Sequence, residues 1–179
     1  MSVLELIKTR GSIRRYTDKP LSQSDLLKIL EAARVAQSAA NRQPWQFIVV
    51  TNKEIKDNIA DVAHFPNRPR QISIETAAAV IICLANPAIS ANVGSLNGFL
   101  IDLAIAIENM VLTSWDLGIG SCWIGAFNEN DVKHLLNIPE NLRVVSLLTL
   151  GYADELPKPK NRKSLEEIIH YDLYHRKSP

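Results

Sequence analysis

The stretch GFLIDLAIAIENMVLTSWDLG, residues 98–118, is the most distinctive feature of this 179-residue chain. It is the longest apolar run, and it predicts a helix from about Asn97 to Leu117 that ends at Gly118, a residue suited to the left-handed turn after a helix. The run is long enough to span a membrane, but Asp102 and Glu108 would be costly in a bilayer. We therefore predict a buried helix of a soluble protein, with no membrane partner. Its apolar residues wrap most of the helix, so we also expect a second subunit to cover part of it.

Composition limits the function classes. The chain has 46% hydrophobic residues, 22% charged residues and a formal net charge of +1, which fits one globular domain and gives no reason to expect nucleic acid as a partner. Any anion-binding site must therefore be local. Two cysteines without a disulfide framework, and an N-terminus without signal-peptide features, predict a cytoplasmic protein. There is no G-x-G-x-x-G or P-loop motif, which disfavours a Rossmann dinucleotide site or an NTPase.

Around the central helix, short β-branched or apolar runs predict strands at residues 47–51, 79–84, 121–127 and 144–150. Amphipathic runs with capping residues predict further helices, which begin after Ser2, Ser22, Asn52, Asn128 and Ser164. The helix after Ser22 is expected to run to about Ser38, and residues 64–73 to form a loop. Strands and helices do not alternate regularly, so the fold class is α+β: a three-layer α/β/α sandwich with a mixed central sheet.

The segment RGSIRRY, residues 10–16, is the first candidate for chemistry. In an extended chain side chains alternate, so Arg10, Ser12 and Arg14 project to the same side. Gly11 lets a ligand approach the backbone, and guanidinium groups match phosphate oxygens in charge and geometry. Taken alone, the segment also fits a solvated basic loop.

A second candidate is SAANRQPW, residues 38–45. The side chains of Asn41 and Gln43 each carry a hydrogen-bond donor and an acceptor, which suits a heterocycle with carbonyl and N–H groups on its edge. Taken alone, the segment also fits an ordinary loop with turn-forming residues.

Together with two later stretches, these segments make the chain resemble the FMN-dependent nitroreductase family, also called the NADH oxidase/flavin reductase family. The matching stretches occur in the family's order and span roughly residues 4–172: RGSIRRY (10–16), SAANRQPWQFIVV (38–50), GIGSCWIGAF (118–127) and LGYADELPKPKNRKSLEEIIHYD (150–172). The resemblance implies a single nitroreductase-like domain over residues 1–179, with FMN held non-covalently at the interface of a homodimer. It also implies a C-terminal arm, about residues 154–179, that wraps the partner subunit.

The resemblance assigns cofactor contacts residue by residue. Arg10 and Ser12 match positions that bind the FMN phosphate and ribityl chain, and Arg14 lies near the pyrimidine end of the flavin. Lys160 and Arg162 match a basic pair that completes the phosphate site. A phosphate group carries close to two negative charges, so several cationic partners are physically reasonable.

Other contacts come from two further segments. The residues that the resemblance assigns to the other subunit are Ser38, Ala39 and Asn41, with Gln43 close by. The strip that packs against the isoalloxazine ring is Ile124, Gly125 and Ala126. Some family members carry an acidic residue where this chain has Gly125, so the substrate cannot be carried over from better-known relatives.

The implied activity is ping-pong hydride transfer, with NAD(P)H as a transient donor and a small electron acceptor such as a nitroaromatic or a quinone. No catalytic acid or base is assigned, because the cofactor would carry the reaction. No metal site is assigned, because the histidines lack metal-ligand spacing. Alternatives within the family are a reductive dehalogenase, an enone reductase or a flavin-fragmenting enzyme. A non-enzymatic flavin-binding redox module and a structural dimer without cofactor also remain open. Residues 64–71 and 87–97 are expected to edge the substrate pocket.

Overall fold

The structure is a computed structural model that describes residues 2–63, 71–92, 94–157 and 160–176. One sheet has the strand order β1-β2-β4-β3, and its strands are β1 (Trp45–Val50), β2 (Ala79–Ala85), β3 (Gly120–Ile124) and β4 (Arg143–Gly151). All three strand pairs are antiparallel. Within the described residues, the parallel component of the predicted mixed sheet is one bridge, between Ser12 and Ser121, where the N-terminal segment runs along the outer edge of β3.

Seven α-helices are described: α1 (Val3–Thr9), α2 (Gln23–Arg34), α3 (Lys53–Val62), α4 (Ile72–Glu75), α5 (Gly98–Asp116), α6 (Glu129–Leu136) and α7 (Leu165–Ile168). Ser2 and Glu5 form the predicted capping box before α1, and the Ser164 N–H donates to Glu167 Oε2 at 2.8 Å before α7. The side-chain oxygen of Asn52 accepts a hydrogen bond from the Ile55 N–H at the start of α3.

Three predicted boundaries were wrong. The helix α2 ends at Arg34 rather than near Ser38, because the N–H of Ala36 bonds the carbonyl of Ala33 and tightens the chain out of α-helical geometry. The strand β3 ends at Ile124 rather than at residue 127, since the Ala126 carbonyl accepts the Gln71 side chain instead of pairing with β4. The predicted loop at 64–73 overlaps the start of α4 at residues 72 and 73, while residues 64–70, including His64, lie outside the described residues.

Alternating side chains of the sheet build two apolar cores, one on each face. On β2, Val80, Ile82 and Leu84 belong to the core under α3, α4 and α6, whereas Ile81 and Cys83 belong to the core under α2 and α5. Every residue of β2 is buried. The predicted three-layer α/β/α arrangement is therefore confirmed, with β2 at its centre.

The central helix α5 behaves as predicted. Gly118 has a φ of +73°. The Gly118 N–H donates to the Trp115 carbonyl and the Ile119 N–H donates to the Ser114 carbonyl. This pair of hydrogen bonds is the Schellman motif that ends many helices. By length and hydropathy α5 could cross a membrane, but half of its most apolar window is buried within the protein. Leu100 and Ile101 remain 42% and 37% exposed, so part of its apolar surface has no cover within one chain.

Candidate functional site

The segment of residues 10–16 lies along the edge of the sheet because a glycine leaves room for it. The Ile13 N–H donates to the Ser121 carbonyl at 2.9 Å, and the Ile13 side chain is fully buried. A Cβ atom on Gly120 would lie 2.7 Å from Ile13 Cγ1, closer than real side chains approach. The pairing of this segment with β3 therefore requires a glycine at position 120.

Tyr16 fixes the other end of the segment. Its hydroxyl donates to the Ile13 carbonyl at 2.7 Å and also contacts Thr149 Oγ1 at 2.8 Å, while its ring packs where a Cβ on Gly151 would otherwise be. Burial raises the pKa of this phenol, so Tyr16 acts as a neutral anchor. The Asp154 N–H donates to the Arg15 carbonyl at 3.0 Å, which ties the C-terminal tail to the same segment.

A cavity of about 450 Å³ opens beside this segment, and we call it the basic cavity. Four of its lining side chains are cationic: Lys8, Arg10, Lys160 and Arg162. Gly11, Ser12 and Pro157 also line it. The structure thus brings the predicted phosphate residues from the two ends of the chain to one place.

The donor groups of the basic cavity suit an anion with several oxygens. Arg10 Nε is buried and has no hydrogen-bond partner among the described residues, an arrangement that is uncommon for a buried polar group. A Cβ on Gly11 would overlap the ring of Pro157, so only glycine allows the tail to close over the segment here. A phosphate group would supply acceptors for the guanidinium and ammonium groups that face this space.

A smaller cavity of about 210 Å³ adjoins the first and shares Ser12 and Lys160 with it. Arg14, Glu155 and Leu156 complete its lining. Glu155 Oε1 accepts the backbone N–H of Arg14 at 2.7 Å, which orders the chain at this point. The predicted alternation of Arg10, Ser12 and Arg14 therefore leads from one cavity into the next. Sequence reasoning missed Glu155, because an acidic residue in a basic tail carries no motif.

The segment of residues 38–43 lines neither of these cavities. It contains a short 3₁₀ turn, Ala39–Asn41, and non-glycine residues with positive φ: Ala40 (51°), Asn41 (53°) and Gln43 (48°). Ser38 Oγ accepts the Gln43 N–H at 2.9 Å, and the Gln43 side-chain amide donates to the Asn41 carbonyl at 3.0 Å. Within one chain, Ser38, Ala39, Asn41 and Gln43 are thus gathered together, apart from the basic cavity.

The strip of residues 124–126 follows β3. Ile124 is buried, Gly125 is exposed, and a Cβ on Gly125 would meet no atom within 4 Å. Gln71 Nε2 donates to the Ala126 carbonyl at 3.4 Å. Sequence reasoning did not assign Gln71, since its neighbours at 67–70 could not be aligned with the family. The strip therefore has open space at Gly125, on the side where a side chain would otherwise project.

The comparisons with known proteins agree with this arrangement. A family model described as "Nitroreductase family" matches residues 7–152, which include both strands that anchor the segment at 10–16. A protein of Archaeoglobus fulgidus, named as an NADH dehydrogenase/NAD(P)H nitroreductase, is 38% identical over 168 residues, 92% of this chain and 89% of that protein.

Solved structures give the same result. A nitroreductase family protein from Clostridium novyi NT has a TM-score of 0.80 at 37% identity and covers 99% of this chain and 97% of its own. An FMN-dependent nitroreductase from Clostridium difficile R20291 has a TM-score of 0.82 at 26% identity, with coverage of 96% and 99%. The chain belongs to the nitroreductase family. It is a nitroreductase-like oxidoreductase with the α+β fold of that family.

Proposed function

We propose that this protein is a cytoplasmic, FMN-dependent NAD(P)H oxidoreductase that reduces small electron acceptors such as nitroaromatics or quinones. The basic cavity carries the proposal, because its residues fit the phosphate end of FMN. Arg10, Lys160 and Arg162 would neutralise the phosphate, and Ser12 would donate a hydroxyl hydrogen bond. The buried and unpartnered Nε of Arg10 would gain an acceptor when the cofactor binds.

The remaining cofactor contacts follow from the same placement. Arg14 lines the adjoining cavity, two residues after Ser12, and would bind the pyrimidine end of the flavin. The strip of Ile124, Gly125 and Ala126 would pack against the ring system at Gly125, where a Cβ would meet no atom within 4 Å. When bound, FMN would supply hydride transfer from NAD(P)H to an acceptor, in ping-pong order. The protein would bind and orient the cofactor and leave its reactive face accessible, and no side chain is assigned as an acid or base.

A homodimer is part of the proposal. Several large apolar side chains in the described part of the C-terminal arm are exposed, among them Leu156 (89%), Leu165 (65%) and Leu173 (71%). Exposed apolar groups in this number mark a surface that a partner covers. We infer that the arm, about residues 154–179, wraps a second subunit. That subunit would supply Ser38, Ala39, Asn41 and Gln43 to the flavin.

The test compares Arg10→Ala with Arg15→Ala, which removes the same charge from an exposed neighbour that lines neither cavity. Loss of charge-assisted hydrogen bonds worth about 2–3 kcal/mol should weaken FMN binding by about 30- to 150-fold in Arg10→Ala. The control should stay within about threefold. Titration by flavin fluorescence gives the dissociation constants.

Riboflavin, which lacks the phosphate, sharpens this test. The two variants and the wild type should bind riboflavin with similar affinity, because the basic cavity acts on the phosphate. Equal FMN affinity in wild type and Arg10→Ala would contradict the proposed site. Wild-type protein that stays colourless after addition of FMN would contradict the proposed cofactor, and holoprotein that does not oxidise NADH or NADPH would contradict the proposed activity.

The specialised alternatives differ in their acceptors. Gly125 leaves open space where some family members carry an acidic residue, so the acceptor has to be identified by assay. We expect the reduced holoenzyme to turn over quinones and nitroaromatics. Turnover restricted to a halogenated phenol or to an enone would favour the reductive dehalogenase or the enone reductase instead.

A further inference from the structure

A buried carboxylate in α5 lies where two loops meet. Asp102 is only 2% exposed. Its Oδ1 accepts the backbone N–H of Ala39 at 2.8 Å, and its Oδ2 accepts the hydroxyl of Ser90 at 3.4 Å. The carboxylate thus connects the core helix to the segment of residues 38–43 and to the loop of residues 86–92.

Burial of this carboxylate is costly. Within residues 2–63, 71–92, 94–157 and 160–176, no lysine, arginine or histidine forms an ion pair with Asp102. A buried charge without a cationic partner destabilises the fold unless hydrogen bonds compensate it. An apolar side chain at this position would pack in the core without the cost of burying a charge. Core packing therefore does not explain why a carboxylate lies here.

The segment that Asp102 holds is strained. Ala40, Asn41 and Gln43 all have left-handed backbone angles, although none is glycine. Such residues persist only where the surrounding structure determines their conformation, and they are common at ligand sites. The bonds within the segment join its members to one another, whereas the bond from the Ala39 N–H to Asp102 joins it to the core.

The second loop is fixed at the same point. Ser90 Oγ also lies 3.3 Å from the Ala91 carbonyl, so its single hydroxyl hydrogen is shared between that carbonyl and Asp102 Oδ2. A Cβ on Gly98 would overlap that same carbonyl, so glycine at the first turn of α5 lets the loop lie against the helix. Ser90 and Gly98 therefore bring the loop of residues 86–92 onto the carboxylate.

We propose that Asp102 is a positioning residue for cofactor binding. Its carboxylate holds the strained backbone of residues 38–43 in the one conformation that presents the Ser38, Asn41 and Gln43 groups to the flavin of the partner subunit. This inference rests on the proposed function, because it takes FMN as the ligand. It adds a residue that touches neither cavity and acts through the Ala39 N–H.

The first test measures FMN affinity in three variants. Asp102→Ala leaves the Ala39 N–H without an acceptor, and binding should weaken by about tenfold or more. Asp102→Asn keeps an oxygen for that N–H and a group that can bond Ser90, so it should remain within about threefold of wild type. Leu103→Ala is the matched control, because it removes a fully buried side chain from the same helix, and the apolar cluster that it weakens includes no residue of either loop.

The second test has a readout that depends neither on flavin affinity nor on activity. Arg42 is exposed within the strained segment, so trypsin can report its release by cleavage between Arg42 and Gln43. Cleavage there should accelerate by about tenfold in Asp102→Ala relative to cleavage after Arg34, which ends α2 and serves as the internal reference. Leu103→Ala should accelerate both cuts together, and Asp102→Asn neither. Measurement on the full-length chain, with and without FMN, covers the free and the loaded protein.

The outcomes separate the two proposals. If wild type binds no FMN, the proposed function fails. If wild type binds FMN but Asp102→Ala binds it equally well, with unchanged cleavage at Arg42, the positioning role alone is refuted. If Leu103→Ala, at matched thermal stability, weakens FMN binding as much as Asp102→Ala does, the effect is one of stability, and the positioning role is also refuted. If Asp102→Ala does not fold, Asp102→Asn and Asp102→Leu are compared instead. Wild-type FMN affinity in Asp102→Asn together with weakened FMN binding in Asp102→Leu supports the positioning role. Equal FMN affinity in these two variants refutes it.

Discussion

Replacement of Gly120 by alanine should loosen the segment that builds the basic cavity. The new Cβ would lie 2.7 Å from Ile13 Cγ1 and 2.9 Å from Ile13 Cβ, and Ile13 is fully buried. Neither β3 nor Ile13 can move freely, because the Ile13 N–H is bonded to the Ser121 carbonyl at 2.9 Å. The methyl group must therefore displace the segment that carries Ser12 and Arg14.

Overpacking of this kind costs about 1–3 kcal/mol, and removal of a glycine from the unfolded chain returns about 0.4–1 kcal/mol. The middle values of these two ranges give a net loss of about 1.3 kcal/mol, which corresponds to a fall in Tm of about 3–5 °C for a chain of this size. Calorimetry of the flavin-free protein at fixed concentration measures it. Gly125→Ala is the matched control, since its Cβ meets no atom within 4 Å, and its Tm should change by less than about 2 °C.

A double-mutant cycle isolates the contact. In an Ile13→Ala background the γ carbons are gone, so Gly120→Ala should cost clearly less than in wild type. FMN affinity should fall together with Tm in the single variant, because Ser12 and Arg14 move with Ile13. A Gly120→Ala protein with wild-type Tm would refute the claim that this glycine is needed for close approach of the segment.

Two further predictions concern ionisable groups. Hydrogen bonds from Arg143, reinforced by the Val144 N–H, hold the pKa of Glu129 below its ordinary value. The stabilising contribution of this carboxylate is therefore present at pH values above the ordinary carboxyl pKa and is lost as the pH falls through the lower pKa of the folded state. Arg143→Ala should therefore flatten the acid limb of a plot of Tm against pH, and an acid limb parallel to wild type would contradict the pairing. Burial raises the pKa of the Cys83 thiol to about 12 and also raises the pKa of the Cys122 thiol. Neither thiol of the native protein should therefore react with a thiol reagent at pH 8, whereas both should react in denaturant. Stoichiometric labelling of the native protein would show that one of these thiols is accessible.

Features fixed by neighbouring residues could be predicted from the sequence. The capping box of Ser2 and Glu5 is local, and so is the glycine ending of α5. The alternation of Arg10, Ser12 and Arg14 follows from extended geometry, and all of them line the joined cavities. Such patterns need only a few consecutive residues, so tertiary contacts rarely override them.

Features that depend on long-range contact could not be predicted in this way. Nothing near Gly120 indicates that Ile13 crosses it, because the two residues meet only in the folded chain. Lys160 and Arg162 were assigned to the candidate site only through the family resemblance. At the sequence level, Asp102 served only as an argument against a membrane-spanning helix. Its contact with Ala39 spans 63 positions, and no local pattern records it.

The division of the site between distant segments has a thermodynamic consequence under the proposed function. The described lining of the basic cavity comes from one chain, whereas the segment of residues 38–43 does not line it and would contact the flavin of a partner. A ligand that contacts both subunits binds the dimer more tightly than the monomer, so FMN binding and dimerisation stabilise each other. Asp102 would then affect both equilibria, because it fixes the segment that joins the cofactor of one subunit to the core helix of the other. A buried carboxylate at this position therefore has a clearer role in a dimer that shares its cofactor than in a chain that binds the cofactor alone.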